Sequence, residues 1–167
     1  MTLQVSVVGS SGSIDDETAK KAYKLGRLLA EKGYIVISGG LDGVMEATFK
    51  GASDAGGITV GIIPSLNKED ANKYCKIVIP TGLGYARNFL NVSSADVVIA
   101  IKGGKGTLSE IAMALVYHRP VICVKGTGGV SDLRAGRRIG EDKILEASSV
   151  EEAVKMIESI MSDKSVK

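Results

Sequence analysis

Glycine and small hydroxyl residues gather at three places in the chain: Gly9-Ser10-Ser11-Gly12-Ser13, Ser38-Gly39-Gly40 and Gly103-Gly104-Lys105-Gly106-Thr107. Each follows a short apolar run and precedes a stretch of helical periodicity. Glycine permits a tight or left-handed turn and lets a ligand approach the backbone. The helix start beyond it offers N–H groups without partners and a partial positive charge. Together these make an anion site. One such loop can serve the turn alone; three on one sheet edge point to a phosphate-bearing ligand. Gly9, Ser10, Ser11, Gly39, Gly40, Gly103, Gly104, Lys105, Gly106 and Thr107 are therefore the candidate binding residues. Lys105 either adds charge to that site or is simply solvated.

Familiar nucleotide motifs are excluded. The first loop lacks the full G-x-G-x-x-G spacing, and the second strand ends in Ser38-Gly39 without an acid for a ribose hydroxyl pair. Gly106 separates Lys105 from Thr107, so the third loop is not a P-loop. Thr107-Leu108-Ser109-Glu110 has two readings: a helix capping box, or a carboxylate facing a ligand. His118, the only histidine, precedes Arg119-Pro120 at a predicted helix end, where a cation suits the dipole. No His, Cys or Asp cluster has metal-ligand spacing, and nothing marks a Schiff-base lysine. No cofactor is expected. Arg134, Arg137 and Arg138 read either as a solvated helix face or as a second phosphate site near Gly128 and Gly129.

The elements that must position these loops alternate. Strands are predicted at 3–9, 34–38, 58–63, 75–79, 96–101, 121–125 and 143–147. Helices are predicted at 15–32 with Ser13 or Asp15 as N-cap, 42–54 with Asp42 as cap, 84–94, 107–118 and 149–162. The last carries a Ser149/Glu152 capping box. Residues 128–141 are glycine- and arginine-rich with room for a short helix, and the polar tail 163–167 is expected to fray. Alternating strands and helices specify a parallel sheet covered on both faces, and near-continuous apolar strands agree. The expected fold is α/β: a single-domain, Rossmann-like, doubly wound parallel sheet in three layers, over residues 1–162. Ligands in such sheets bind at the carboxyl edge, where strand order reverses.

The chain has 167 residues, 44% apolar and 24% charged, which suits one hydrophobic core. A net charge of +2 is too small to imply a nucleic-acid or membrane partner, and 4% aromatic content leaves few stacking platforms. No signal peptide or membrane-length run is found. Cys75 and Cys123 read as buried thiols in strands of a reducing, cytoplasmic protein.

Gly103 to Glu110 resembles the P-G-G-x-G-T-x-x-E signature of the Lonely Guy (LOG) family, long labelled lysine decarboxylase. That family includes hydrolases that release the base from nucleoside 5′-monophosphates, and molybdenum-cofactor carriers share its fold. The likeness extends to Val8-Gly9-Ser10-Ser11, Ser38-Gly39-Gly40, Gly61-Ile62-Ile63-Pro64 and Tyr85-Ala86-Arg87-Asn88. Lys102 stands where the signature has Pro. Gly84 to Asn88 stands where the hydrolases have Met-His-x-Arg-Lys, so only the arginine is kept. These departures, with Gly126 to Gly129, resemble the carrier-like branch. The resemblance implies Arg87 and Glu110 as the catalytic pair and Gly103 to Thr107 as the phosphate cradle. The activity it implies is phosphoribohydrolase, or else non-catalytic binding of molybdenum cofactor or another phosphorylated ligand. It also implies a homodimer or higher oligomer through the helices around the two motifs; the helix at 107–118, apolar on nearly every side, agrees.

Overall fold

The computed structural model describes residues 1–164, with side chains to residue 162. The chain runs β1 (Gln4–Gly9), α1 (Asp16–Glu31), β2 (Ile35–Ser38), α2 (Val44–Asp54), β3 (Thr59–Ile63), β4 (Ile77–Pro80), α3 (Asn88–Ser93), β5 (Val97–Ile101) and α4 (Lys105–Val116). It continues through β6 (Val121–Val124), α5 (Gly129–Arg134), the short strands β7 (Arg138–Ile139) and β8 (Asp142–Lys143), β9 (Leu145–Ala147) and α6 (Val150–Lys164). Seven strands form one parallel sheet in the order β4-β3-β2-β1-β5-β6-β9. The expected doubly wound α/β fold is found. Strand order reverses between β1 and β5, so the carboxyl ends at Gly9 and Ile101 border the crevice where such folds bind ligands.

Both faces are covered, which is why the strands lack polar alternation. Val5, Val7 and Ile99 point into a core with Leu25, Leu29, Phe49 and Ile157 from α1, α2 and α6. Val8 and Val98, one residue along, point the other way onto Val92 of α3 and Ile111 and Leu115 of α4. α1 and α2 meet through glycines. A Cβ on Gly26 would lie 1.9 Å from the Thr48 carbonyl oxygen, and one on Gly51 equally close to that of Tyr23.

Several expectations are corrected. The fourth strand starts at Ile77, so Cys75 lies outside it, half-buried in a turn where its N–H reaches Asn72 O. The helix expected at 84–94 is a 3-10 turn, Gly84–Arg87, followed by α3. Gly43, not Asp42, precedes α2; the Asp42 carboxylate instead accepts the Gly12 N–H at 2.8 Å, tying loop to loop. The arginine cluster does not share a helix face: Arg134 ends α5, and Arg138 sits on the β7–β8 hairpin, donating to Glu141 O. Asp15 is the N-cap of α1, accepting from Thr18. At α6, Ser149 accepts the Glu152 N–H, but the Glu152 carboxylate turns to Ser148 instead of closing the box. α6 runs to Lys164, beyond the predicted end at 162, and the rest of the expected fraying tail lies outside the described residues.

Candidate active site

α4 begins at Lys105, with Gly104 as N-cap and no side chain capping it. The Leu108 N–H, bonded to Gly104 O at 2.9 Å, is the first in the helical ladder. The N–H groups of Lys105, Gly106 and Thr107 precede it and have no partner in that ladder. Glu110 is therefore well inside the helix, and the capping-box reading fails. The Glu110 carboxylate reaches α3 instead, where Oε1 accepts from Asn91 Nδ2 at 2.9 Å.

Glu110 lines a cavity of about 290 Å³ at the carboxyl edge of the sheet. Gly9 and Ser11 of the first loop, Ser38 and Gly39 of the second, Arg87, and Gly106 and Thr107 share it. Sequence reasoning missed the apolar wall of Leu41, Met45 and Pro64, and Tyr85 at the mouth with 88% exposure. Pro64 and Tyr85 stand in segments of the family likeness but were given no role there; Leu41 and Met45 carry no motif, and only apolar side chains beside glycine loops could have signalled them.

Ser10, Gly40 and Gly103 brace the cavity without lining it. Ser10 Oγ accepts the Gly103 N–H at 2.9 Å, so that hydroxyl and that amide serve each other. The Gly40 carbonyl accepts the Asn72 N–H, and a Cβ there would lie 2.8 Å from Ile63. Gly104 and Lys105 are exposed. Gly39 does something else again. A Cβ on it would lie 2.6 Å from Arg87 Nη2, so its bare backbone makes room for the guanidinium.

Lys102 joins two loops. Its φ of 55° lies in the left-handed region, which a proline ring cannot enter. Its N–H donates to Thr127 Oγ1 at 2.9 Å, and its carbonyl accepts from Ser131 N at 2.8 Å. Its ammonium meets Asp15 at 2.6 Å; that hydrogen bond, with the Thr18 bonds, holds the Asp15 carboxyl well below the ordinary range. The signature loop is thus held by the segment after β6 and does not rest on a proline.

Arg87 and Glu110 are both buried, at 7% and 6% exposure, and their closest N–O approach is 4.0 Å. Burial lowers the Arg87 pKa from its ordinary value against the pull of Glu110. Burial pushes the Glu110 carboxyl up to about 7, although the Asn91 bond and the Arg87 charge pull it down. A carboxyl that titrates near neutrality, in a cleft beside a buried cation, suits acid–base work or charge stabilisation. Among the described residues no group of three His, Cys, Asp or Glu comes together as a metal site. Among them, too, no helix is long and apolar enough to cross a membrane.

Comparison with known proteins agrees with the fold. An uncharacterized protein of Archaeoglobus fulgidus is 46% identical over 123 residues, spanning 74% of this chain and 80% of its own. A cytokinin riboside 5′-monophosphate phosphoribohydrolase of Mycobacterium tuberculosis is 28% identical over 140 residues, spanning 78% and 75%. The solved molybdenum cofactor binding protein of Rippkaea orientalis is 38% identical, with a TM-score of 0.89 over 96% of this chain and 98% of that one. The molybdenum cofactor carrier protein of Chlamydomonas reinhardtii is 30% identical, with a TM-score of 0.82 over 96% and 99%. The SLOG cluster4 family model matches residues 2–159, and the chain belongs to that family.

Proposed function

We propose that this protein binds a phosphorylated, nucleotide-like small molecule in the β1/β5 crevice and hydrolyses the N-glycosidic bond of a nucleoside 5′-monophosphate. The observation that carries the reading is the burial of Arg87 and Glu110 at the wall of a cavity also lined by the start of α4. The N–H groups of Gly106 and Thr107 would take the phosphate at the positive end of the helix. The apolar wall of Leu41, Met45 and Pro64 would take the base. As the C1′–N bond breaks, the leaving base takes the electron pair and positive charge grows on the ribose; the hydroxyl of the attacking water bonds to C1′ and the water's proton ends on the base. Glu110 stabilises that charge as a carboxylate and orients the water that attacks C1′. Arg87 holds phosphate or base. No metal enters this scheme, so a chelator should leave the rate unchanged.

The test is incubation with AMP, GMP and CMP, with chromatography of the released base. Release by the wild type and its loss in Glu110→Gln support hydrolysis; no release from any monophosphate rejects it. The second reading, a carrier without turnover, is favoured by the similar solved structures and by Lys102 in a conformation closed to proline. Tight binding without release, and a phosphorylated pterin in the mass spectrum of the purified protein, would decide for it. Either reading includes self-association. Val116 and Tyr117 at the end of α4, and Ile77 and Ile79 on the edge strand, are large apolar residues left exposed. A monomer by light scattering would remove that element.

A further inference from the structure

Two asparagines on α3 hold the buried charges: Asn88 from the cavity wall itself, Asn91 from outside its lining. Asn88 and Asn91 are three residues apart, which places them on one helix face, and their exposures are 4% and 0%. Asn88 Oδ1 accepts from Arg87 Nη1 at 2.5 Å, and Asn88 Nδ2 reaches Ser109 Oγ at 3.3 Å. Ser109 Oγ in turn donates to the Gly106 carbonyl at 2.6 Å, linking the guanidinium to the first turn of α4. Asn91 holds Glu110 Oε1 in the same way from the other side.

A buried arginine and a buried glutamate at this range would ordinarily close to a direct, charge-assisted contact of about 2.8 Å. Here they stop at 4.0 Å. Each has an amide partner in place of the other. Among the described residues Arg87 Nε has no hydrogen-bond partner although it is buried, and the hydrogen bond of the Glu110 carboxylate is the one from Asn91. A closed pair would satisfy itself and present little to a ligand. A separated pair keeps unspent hydrogen-bonding capacity at the wall of the cavity.

We propose that Asn88 and Asn91 are positioning residues that hold Arg87 and Glu110 apart, so that both charges address the ligand and do not neutralise each other. This rests on the reading of the crevice as the ligand site. The electrostatic setting agrees. Arg87 is the charged group facing Glu110, Asn91 is its hydrogen-bond donor, and Tyr85 is the further titratable group near Arg87. Neither asparagine needs to touch the reacting atoms.

The experiment is a carboxyl-carbon NMR titration of Glu110 in the ligand-free protein, assigned with Glu110→Gln, for wild type and Asn91→Leu. Asn91→Ala serves if the leucine variant does not fold. With its amide partner gone, the carboxylate should swing onto Arg87. The Glu110 midpoint then falls below the wild-type value, because a guanidinium in contact replaces a neutral donor. A midpoint that rises shows Asn91 to be only a donor, and an unchanged one shows it to be only packing; either result overturns the proposal. AMP affinity, read by calorimetry on the same variants, should weaken about tenfold, as expected for one charge-assisted hydrogen bond. If the wild type does not bind AMP at all, the reading of the ligand site fails, while the midpoint still decides the role of Asn91.

Discussion

The two faces of the sheet solve opposite problems with overlapping residue types. On one face α1, α2 and α6 press onto the strands through apolar side chains, and Gly26 and Gly51 let the first two helices touch at the backbone. On the other face α3 and α4 enclose Arg87, Asn88, Asn91 and Glu110, all below one tenth exposed, beside an apolar core. Glycine serves close packing in the first region and makes room for a guanidinium in the second, at Gly39. Burying charged groups costs stability unless they are paired. On the function proposed above, the first face serves chiefly stability and the second holds the charged pair of the ligand site.

Damage to the first face should cost the most. Gly26→Ala places a methyl against the Thr48 carbonyl, where only backbone movement can relieve it. A loss of about 3 kcal/mol is expected in urea denaturation, with ligand affinity per folded molecule unchanged. A variant as stable as wild type would mean that the helix pair is looser than described.

The cost of the second face shows in its dependence on pH. The folded Glu110 carboxyl, at about 7, lies above its ordinary value of 4.5. The folded state therefore holds its proton longer than the unfolded state as pH rises. Wild type loses stability relative to Glu110→Gln from about pH 4.5 to 7, and little further above that. The full interval corresponds to about 3 kcal/mol as an upper bound. Thermal melts of both proteins from about pH 4 to 8 check this, and parallel profiles would contradict the buried ionisation.

Lys102 gives smaller effects, which differ with the replacement. Lys102→Pro forbids the observed φ and removes the N–H bonded to Thr127. A loss of about 2 kcal/mol is expected, with weaker ligand binding. Lys102→Gly relieves the left-handed strain but loses the exposed Asp15 contact, so the net change in melts should stay within about 1 kcal/mol.

Much of the architecture was legible because buried parallel strands are short apolar runs separated by helical periodicity. The cap of α1 was legible only as Ser13 or Asp15; the Asp15 carboxylate reaching the Thr18 N–H decides between them. The start of α4 was misread because Thr107 and Glu110 have the spacing of a capping box while the helix begins at Lys105, two residues earlier than predicted. The β7–β8 hairpin was illegible because a glycine- and arginine-rich stretch shows no alternation. In the site, glycine loops announced the cavity, and the resemblance, not the spacing, singled out Arg87 and Glu110. Asn88 and Asn91 went without a role because asparagine on a helix looks like any solvated residue until its neighbours are known. The split of the glycines into lining and bracing residues needed the hydrogen bonds of Ser10, Asn72 and Thr127.

If a phosphorylated ligand sits where β1 and β5 part, against the start of α4, a backbone amide NMR titration with AMP will locate it. Saturable shifts are expected at Gly9, Ser11, Gly106 and Thr107, with α1 and the part of α2 beyond its first turn unmoved. No saturation, or shifts centred on the α1–α2 pair, would contradict that placement.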